Sequence, residues 1–205
     1  MTRGTFVVLA SGRGTNFQAI IDRVNAGYIN ASCTALITDN PEAYAIKRAE
    51  NAGIPVEIVP YRSFPDKNRY EDALLAVLAR FHPDLVVLAG YMRLLGERIV
   101  DTYEGKMINI HPSLLPAFQG LHAQRQALEY GTKVAGCTVH FVTNDMDAGP
   151  VIIQRAVPVL EDDDEESLSD RILVEEHQAF SDAIRLFFEK RLVIEGRRVR
   201  ILPDT

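Results

Sequence analysis

Asn109 and His111 stand two residues apart in the stretch KMINIHPSLLP, residues 106–116, where an apolar run ends at Pro112. Side chains alternate across a pleated strand, so these two share one face while Ile108 and Ile110 share the other. An amide and an imidazole aimed at one point can hold a developing oxyanion, and the imidazole can also deliver a proton. A lone histidine on an apolar strand is ordinarily a satisfied core residue. The neighbouring amide is what points to chemistry. A second stretch, HFVTNDMDAGPVI at 140–152, places Asp145 and Asp147 before Gly149-Pro150. As turn residues these need no further explanation, but a carboxylate beside His111 would raise the imidazole pKa and keep the ring protonated near neutral pH.

A third stretch, ASGRGTN at 10–16, follows an apolar run and opens a helical pattern. Gly12 and Gly14 let backbone amides approach a ligand closely, and a helix N-terminus adds partial positive charge, which together suit a phosphate. The spacing is not GxGxxG. Asp39 keeps a dinucleotide ribose contact open, and a plain strand-to-helix turn is the alternative. Among the other histidines, His82 reads as a helix end and His177 as a helix-face residue beside Glu175 and Glu176. His140 alternates with Thr138 on a strand and points either inward or toward the site, and His122 stands at a helix start.

These loops need rigid elements to carry them. The β-branched runs TFVVLA, CTALITD, VEIVP, LVVLAG and MINIH alternate with the amphipathic segments FQAIIDRVNAG, AYAIKRAENAG, KNRYEDALLAVLARF and ERIVDTYEG. Such alternation predicts βαβ units and a mostly parallel sheet with helices on both faces, its ligands beyond the carboxyl ends of the strands. After residue 131 the pattern changes. VAGCTVHFVT and VIIQRAVPV are spaced to pair antiparallel, a helix runs from about Glu165 to Lys190, and LVIEGRRVRIL reads as a hairpin turning at Glu195-Gly196. The sheet is therefore mixed and the fold class α/β, in one domain over residues 1–205. A phosphate-binding half covers about 1–100 and a catalytic half about 101–205.

Apolar residues make up 47% of the 205 and charged ones 24%, ordinary globular values. A net charge of -6 gives no electrostatic reason to approach nucleic acid. The acidic run Glu161 to Glu166 reads as a solvated loop entering a helix, with Asp164 or Ser167 as cap. No apolar segment reaches the roughly 18 residues that span a bilayer, and a strand starts too early for a signal peptide. A cytoplasmic protein is expected, one that touches neither membrane nor nucleic acid, as a monomer or homodimer. Cys33 and Cys137 lie in apolar runs, without metal or disulfide spacing.

Five ordered segments carry a resemblance over essentially the whole chain: SGRGTN at 11–16, LAGYMRLL at 88–95, INIHPSLLP at 108–116, GLHAQRQAL at 120–128 and GCTVHFVTNDMDAGPVI at 136–152. The sequence resembles the phosphoribosylglycinamide formyltransferases, the folate-dependent transformylases of purine biosynthesis, and a Rossmann-like formyltransferase fold is implied. So is a reaction in which the amine of glycinamide ribonucleotide attacks the formyl carbon of 10-formyltetrahydrofolate, a cosubstrate, with no metal. The resemblance assigns catalysis to Asn109, His111 and Asp147, with Asp147 organising a water that relays protons. It gives the ribonucleotide phosphate to Gly14, Thr15 and Asn16 and the sugar side to Glu176. Met92, Arg93, Leu94 and Leu95 receive the pterin in an apolar slot, with Asn109. The loop of Thr143, Asn144, Asp145 and Asp147 closes over it, and Lys67 meets the acidic tail. Leu173 and Gln124 depart from residues that some relatives carry.

Two sister activities share the trio. A methionyl-tRNA formyltransferase would need a further tRNA-binding domain, and a formyltetrahydrofolate hydrolase would carry a regulatory domain ahead of the first strand and have less use for a phosphate loop. A nucleotide-binding module without catalysis is the alternative of another class.

Overall fold

The β-branched runs form strands and the amphipathic segments form helices in the computed structural model, which describes residues 3–204. The chain divides into two compact units, Met1–Ile108 and Asn109–Thr205, and the boundary falls inside one strand, between the two isoleucines that flank Asn109.

The first unit runs β1 (Gly4–Leu9), α1 (Thr15–Asn25), β2 (Ala31–Thr38), α2 (Tyr44–Asn51), β3 (Val56–Ile58), a 3-10 turn (Tyr61–Ser63), α3 (Lys67–Phe81), β4 (Leu85–Leu88), α4 (Glu97–Thr102) and the start of β5 (Met107–His111). Its strands lie in the order β3-β2-β1-β4, and every pair among these four is parallel. Phe6–Leu9 and Leu85–Leu88 are buried throughout. A parallel strand covered on both faces has no use for polar alternation, so it reads as an unbroken apolar run. Helix α1 buries Phe17, Ile20 and Ile21, one stripe at helical spacing. Helix α3 starts where Asp66 accepts the Arg69 N–H at 2.9 Å. It ends at His82, the helix end expected there, and the structure places that residue in the left-handed conformation.

The second unit holds the end of β5, then α5 (Ala123–Tyr130), β6 (Val134–Phe141), β7 (Val151–Pro158), α6 (Glu165–Phe188), β8 (Leu192–Glu195) and β9 (Arg198–Ile201). Strands β6 and β7 pair antiparallel, as do β8 and β9, while β7 and β9 are parallel, so the sheet is mixed as expected. Helix α6 packs on β6 and β7 through Leu168, Ile172, Ala179, Phe180, Ala183 and Ile184. The Leu, Ile and Phe side chains among them each contribute about 1.5–3 kcal/mol by leaving water. A capping box of Asp164 and Ser167 starts it, so both candidate caps act together.

Element boundaries differ in places. Helix α4 stops at Thr102 instead of reaching residue 105, because the Tyr103 N–H closes on Ile99 and Val100 and the Lys106 N–H turns back to the Tyr103 carbonyl. In the last hairpin Glu195 pairs with Arg198, so the turn is Gly196-Arg197, one residue beyond the expected place. No helix among the described residues is long and apolar enough to cross a membrane.

Candidate functional site

Asn109 and His111 end β5 on a common face, and the second unit builds a closed set of contacts around them. His140, on β6, is buried. Its Nδ1 lies 2.9 Å from the Phe141 carbonyl and its Nε2 3.3 Å from Asn109 Nδ2. A carbonyl only accepts, so Nδ1 carries the proton, and in the neutral ring Nε2 accepts from the Asn109 amide. Burial pushes the His140 pKa down against smaller opposing contributions from the Phe141 carbonyl and Asp147. The neutral ring is therefore the resident form and fixes which way the Asn109 amide faces.

His111, also buried, has Nε2 2.9 Å from the Phe118 carbonyl and Nδ1 3.5 Å from Asp147 Oδ2. Both ring nitrogens thus face oxygen atoms, a carbonyl at Nε2 and a carboxylate at Nδ1. The Asp147 carboxylate also accepts the Gly120 N–H at 2.9 Å and lies 3.9 Å from His140 Nε2. Asp147 adopts the left-handed conformation, φ 49°. The loop that carries it is pinned at Gly149, where a Cβ would sit 1.7 Å from the Phe141 carbonyl oxygen. Asn109, His111 and Asp147, linked by residue type in the sequence, are thus brought together.

The segment after β5 is fixed by Thr138. Its hydroxyl donates to the Ser113 carbonyl at 2.7 Å and accepts the Leu115 N–H at 3.0 Å and Gln154 Nε2 at 3.0 Å. Thr138 and His140 share a face of β6, so one strand face holds both the Asn109 amide and the loop that presents the Phe118 carbonyl. Thr143, Asn144 and Asp145 are exposed in the 142–150 loop. Glu176 is buried on α6 and, after burial itself, its charge helps push the Cys137 thiol up to about 12. His122 stands at the N-terminal boundary of α5 without a side-chain cap bond, and its Nδ1 lies 3.9 Å from Glu165. Sequence reasoning left His140 undecided and missed Gly120, Phe118 and Thr138. Alternation along β6 is the signal that joins Thr138 to His140, whereas a carbonyl or an N–H has no sequence signature.

In the first unit, loop 10–16 leads into α1 with Gly14 at φ 67° and no side-chain cap. A Cβ there would meet the Ala45 Cβ at 2.8 Å, so glycine is required by both conformation and space. The first N–H groups of Thr15 and Asn16 stand at the positive end of the helix. Lys67, Met92, Arg93 and Leu94 come together, with Tyr61 and Tyr70, around a cavity of about 220 Å³, and Leu95 is buried beside Leu94. Asp39, which left a dinucleotide ribose contact open in the sequence, is engaged within the protein. Its buried carboxylate accepts the Ser11 hydroxyl at 2.5 Å and Arg93 Nε at 2.6 Å, which occupies it internally. Among the described residues no group of three His, Cys, Asp or Glu is placed to hold a metal ion.

Comparison with known proteins adds to this geometry. The formyl transferase family model matches residues 5–184. The chain is 41% identical over 186 residues to the phosphoribosylglycinamide formyltransferase of Escherichia coli (strain K12), covering 91% of this chain and 88% of that protein. It is 45% identical to the trifunctional purine biosynthetic protein adenosine-3 of Drosophila melanogaster, of whose length it spans 14%. Among solved structures, glycinamide ribonucleotide transformylase 1 from Symbiobacterium toebii matches with a TM-score of 0.96 and 52% identity, over 98% of this chain and 95% of that one. A formyltetrahydrofolate deformylase from Pseudomonas syringae pv. tomato matches with a TM-score of 0.93 but 27% identity, over 98% of this chain and 67% of that one.

Proposed function

The chain belongs to the formyl transferase family, and on that premise we propose that it transfers the formyl group of 10-formyltetrahydrofolate to the amine of 5'-phosphoribosylglycinamide in purine biosynthesis. The observation that carries the reading is the Asn109, His111, Asp147 cluster, with an amide, a ring and a carboxylate held at the end of one strand. Attack of the amine on the formyl carbon makes a tetrahedral oxyanion. Asn109 gives one N–H to His140 and has a second for that oxygen, and His111 Nδ1, held to Asp147 only at the long distance of 3.5 Å, can turn an N–H to it as a further donor. Collapse breaks the bond to the folate nitrogen, which must gain the proton that the amine loses. Asp147 and His111, 3.5 Å apart, are the pair through which that proton passes, directly or by way of water.

In the same reading, Gly14, Thr15 and Asn16 offer N–H groups to the ribonucleotide phosphate, and Glu176 serves its sugar. Met92, Arg93, Leu94 and Leu95 take the pterin side of the folate, Lys67 the acidic tail, and Thr143, Asn144 and Asp145 the covering loop. The reaction runs in the cytoplasm, in a monomer or homodimer, without a metal. An absorbance assay of folate deformylation, with and without glycinamide ribonucleotide, tests it. Turnover only with the ribonucleotide is expected. Turnover without it would make the protein a formyltetrahydrofolate hydrolase, a reading with less support because the deformylase match is at 27% identity. No turnover in either case would leave a binding module.

A further inference from the structure

Two cations line the 220 Å³ cavity of the first unit, and two free cations in one concave site would attract any polyanion. Neither is free. Arg93 Nε lies 2.6 Å from Asp39 Oδ2, and Lys67 Nζ lies 3.5 Å from Glu71 Oε1. The cationic side chains are 36% and 45% exposed, whereas the carboxylates are 1% and 6% exposed. Each positive charge at the cavity therefore has a negative one buried beneath it, and the four sum to zero.

The carboxylates are locked by donors that bring no charge. The Ser11 hydroxyl gives 2.5 Å to Asp39 Oδ1, and the Gly96 N–H gives 2.7 Å to Glu71 Oε1. Space at Gly96 is set by the same carboxylate, since a Cβ there would lie 2.5 Å from Glu71 Oε2. The Arg93 guanidinium rests over the Tyr61 ring, 4.4 Å from its centroid, which limits how far it can swing toward a ligand. Neither carboxylate belongs to the transfer chemistry, and burying two of them costs desolvation that apolar residues would avoid.

We propose that Asp39 and Glu71 are specificity-determining residues that neutralise Arg93 and Lys67, so that the cavity accepts a folate tail of one glutamate but gains little from a longer polyanionic tail. This rests on the folate reading proposed above, in which Lys67 meets the acidic tail, and extends it by placing Arg93, on the same cavity, where the pterin segment meets that tail. The field of a compensated pair falls off as a dipole, so carboxylates added beyond the first contact meet almost no attraction, and salt screens what remains.

The test measures binding of three folates to the full chain by fluorescence: a pteroate without glutamate, a folate with one glutamate and a folate with several. Wild type should bind the last two with similar affinity, and that ratio should change little with salt. In D39N the amide keeps an acceptor for Arg93 and a partner for Ser11 while the negative charge is lost. Affinity for the several-glutamate folate should then rise about fivefold or more over that for the single one, fading near 1 M salt, with pteroate binding unchanged. E71Q acts on the other cation and should shift the ratio the same way, so it carries the test if D39N does not fold. The proposal is overturned if wild type already favours the longer tail steeply, or if neither variant moves the ratio. Wild type that binds none of the three would instead overturn the folate reading itself.

Discussion

The two units of the chain present their candidate residues in opposite ways. In the first, Lys67, Met92 and Leu94 are exposed around an open cavity, and the start of α1 is left without a side-chain cap. In the second, His111 and His140 are buried and every ring nitrogen has a protein acceptor or donor beside it. Groups that only bind must keep contact area and N–H donors available to a ligand. Groups that move protons must have their tautomers fixed beforehand, and burial among hydrogen bonds does that. Variants of Gly14 and of the cavity residues in the first unit should therefore change binding, and variants of the groups around His111 and His140 should change turnover.

The largest effect is expected from Asp147→Asn. Losing the carboxylate removes the charge facing His111, and kcat should fall by about two to four orders of magnitude while both substrates still bind. Steady-state kinetics with direct binding measurements checks this. A variant that loses binding as well would place Asp147 on the binding side of the comparison.

A pair of glycine variants sharpens the contrast. Gly149→Ala forces the Asp147 loop away from the Phe141 carbonyl and should lower kcat about tenfold or more, with about 1–3 kcal/mol of stability lost. Gly14→Ala, strained by its positive φ and by Ala45, should raise the KM for the ribonucleotide by about tenfold and leave kcat nearly as it was. The same parameter changing in both would erase the distinction.

His140 gives a smaller effect with a pH signature. His140→Leu leaves the Asn109 amide without its acceptor and should lower kcat about tenfold, whereas His140→Gln keeps an acceptor and should recover most of it. Burial holds the folded His140 pKa below its ordinary value of 6.5. The unfolded chain therefore takes up a proton near that value that the folded chain refuses. Stability is lost as pH falls below about 6.5, until the lowered folded pKa is reached. Thermal unfolding followed across that window should show a shallower slope in His140→Leu than in wild type.

The smallest expected effect is chemical. Burial pushes the Cys137 thiol up to about 12, so alkylation at neutral pH should be slower by about a hundredfold or more than in the unfolded chain, with no change in turnover before it reacts. Rapid labelling that abolished activity would mean that this face of β6 opens during catalysis.

Alternation and composition made most of the fold legible. Period-2 and period-3.6 apolar patterns are local, so strands such as Leu85–Leu88 and the helix Lys67–Phe81 could be read directly. Their ends were read less well, because α4 is cut short where the Lys106 N–H turns back to the Tyr103 carbonyl and the last turn is set by cross-strand register. Asn109 and His111 were legible because two residues on one strand share a face for a purely local reason.

What the sequence by itself determined is therefore the set of candidate side chains, the strand that aims two of them, the loop glycines, and a family resemblance borne out by the match over residues 5–184. Only the tertiary structure decided what each group is paired with. Asp39 looked available in the sequence and is taken by Ser11 and Arg93, which lie 28 and 54 positions away. His140 acquired its part only when Asn109, 31 positions away, came within 3.3 Å. Pairing over such separations depends on where strands lie side by side, and that order is fixed by burial of whole faces, which no single stretch of residues encodes.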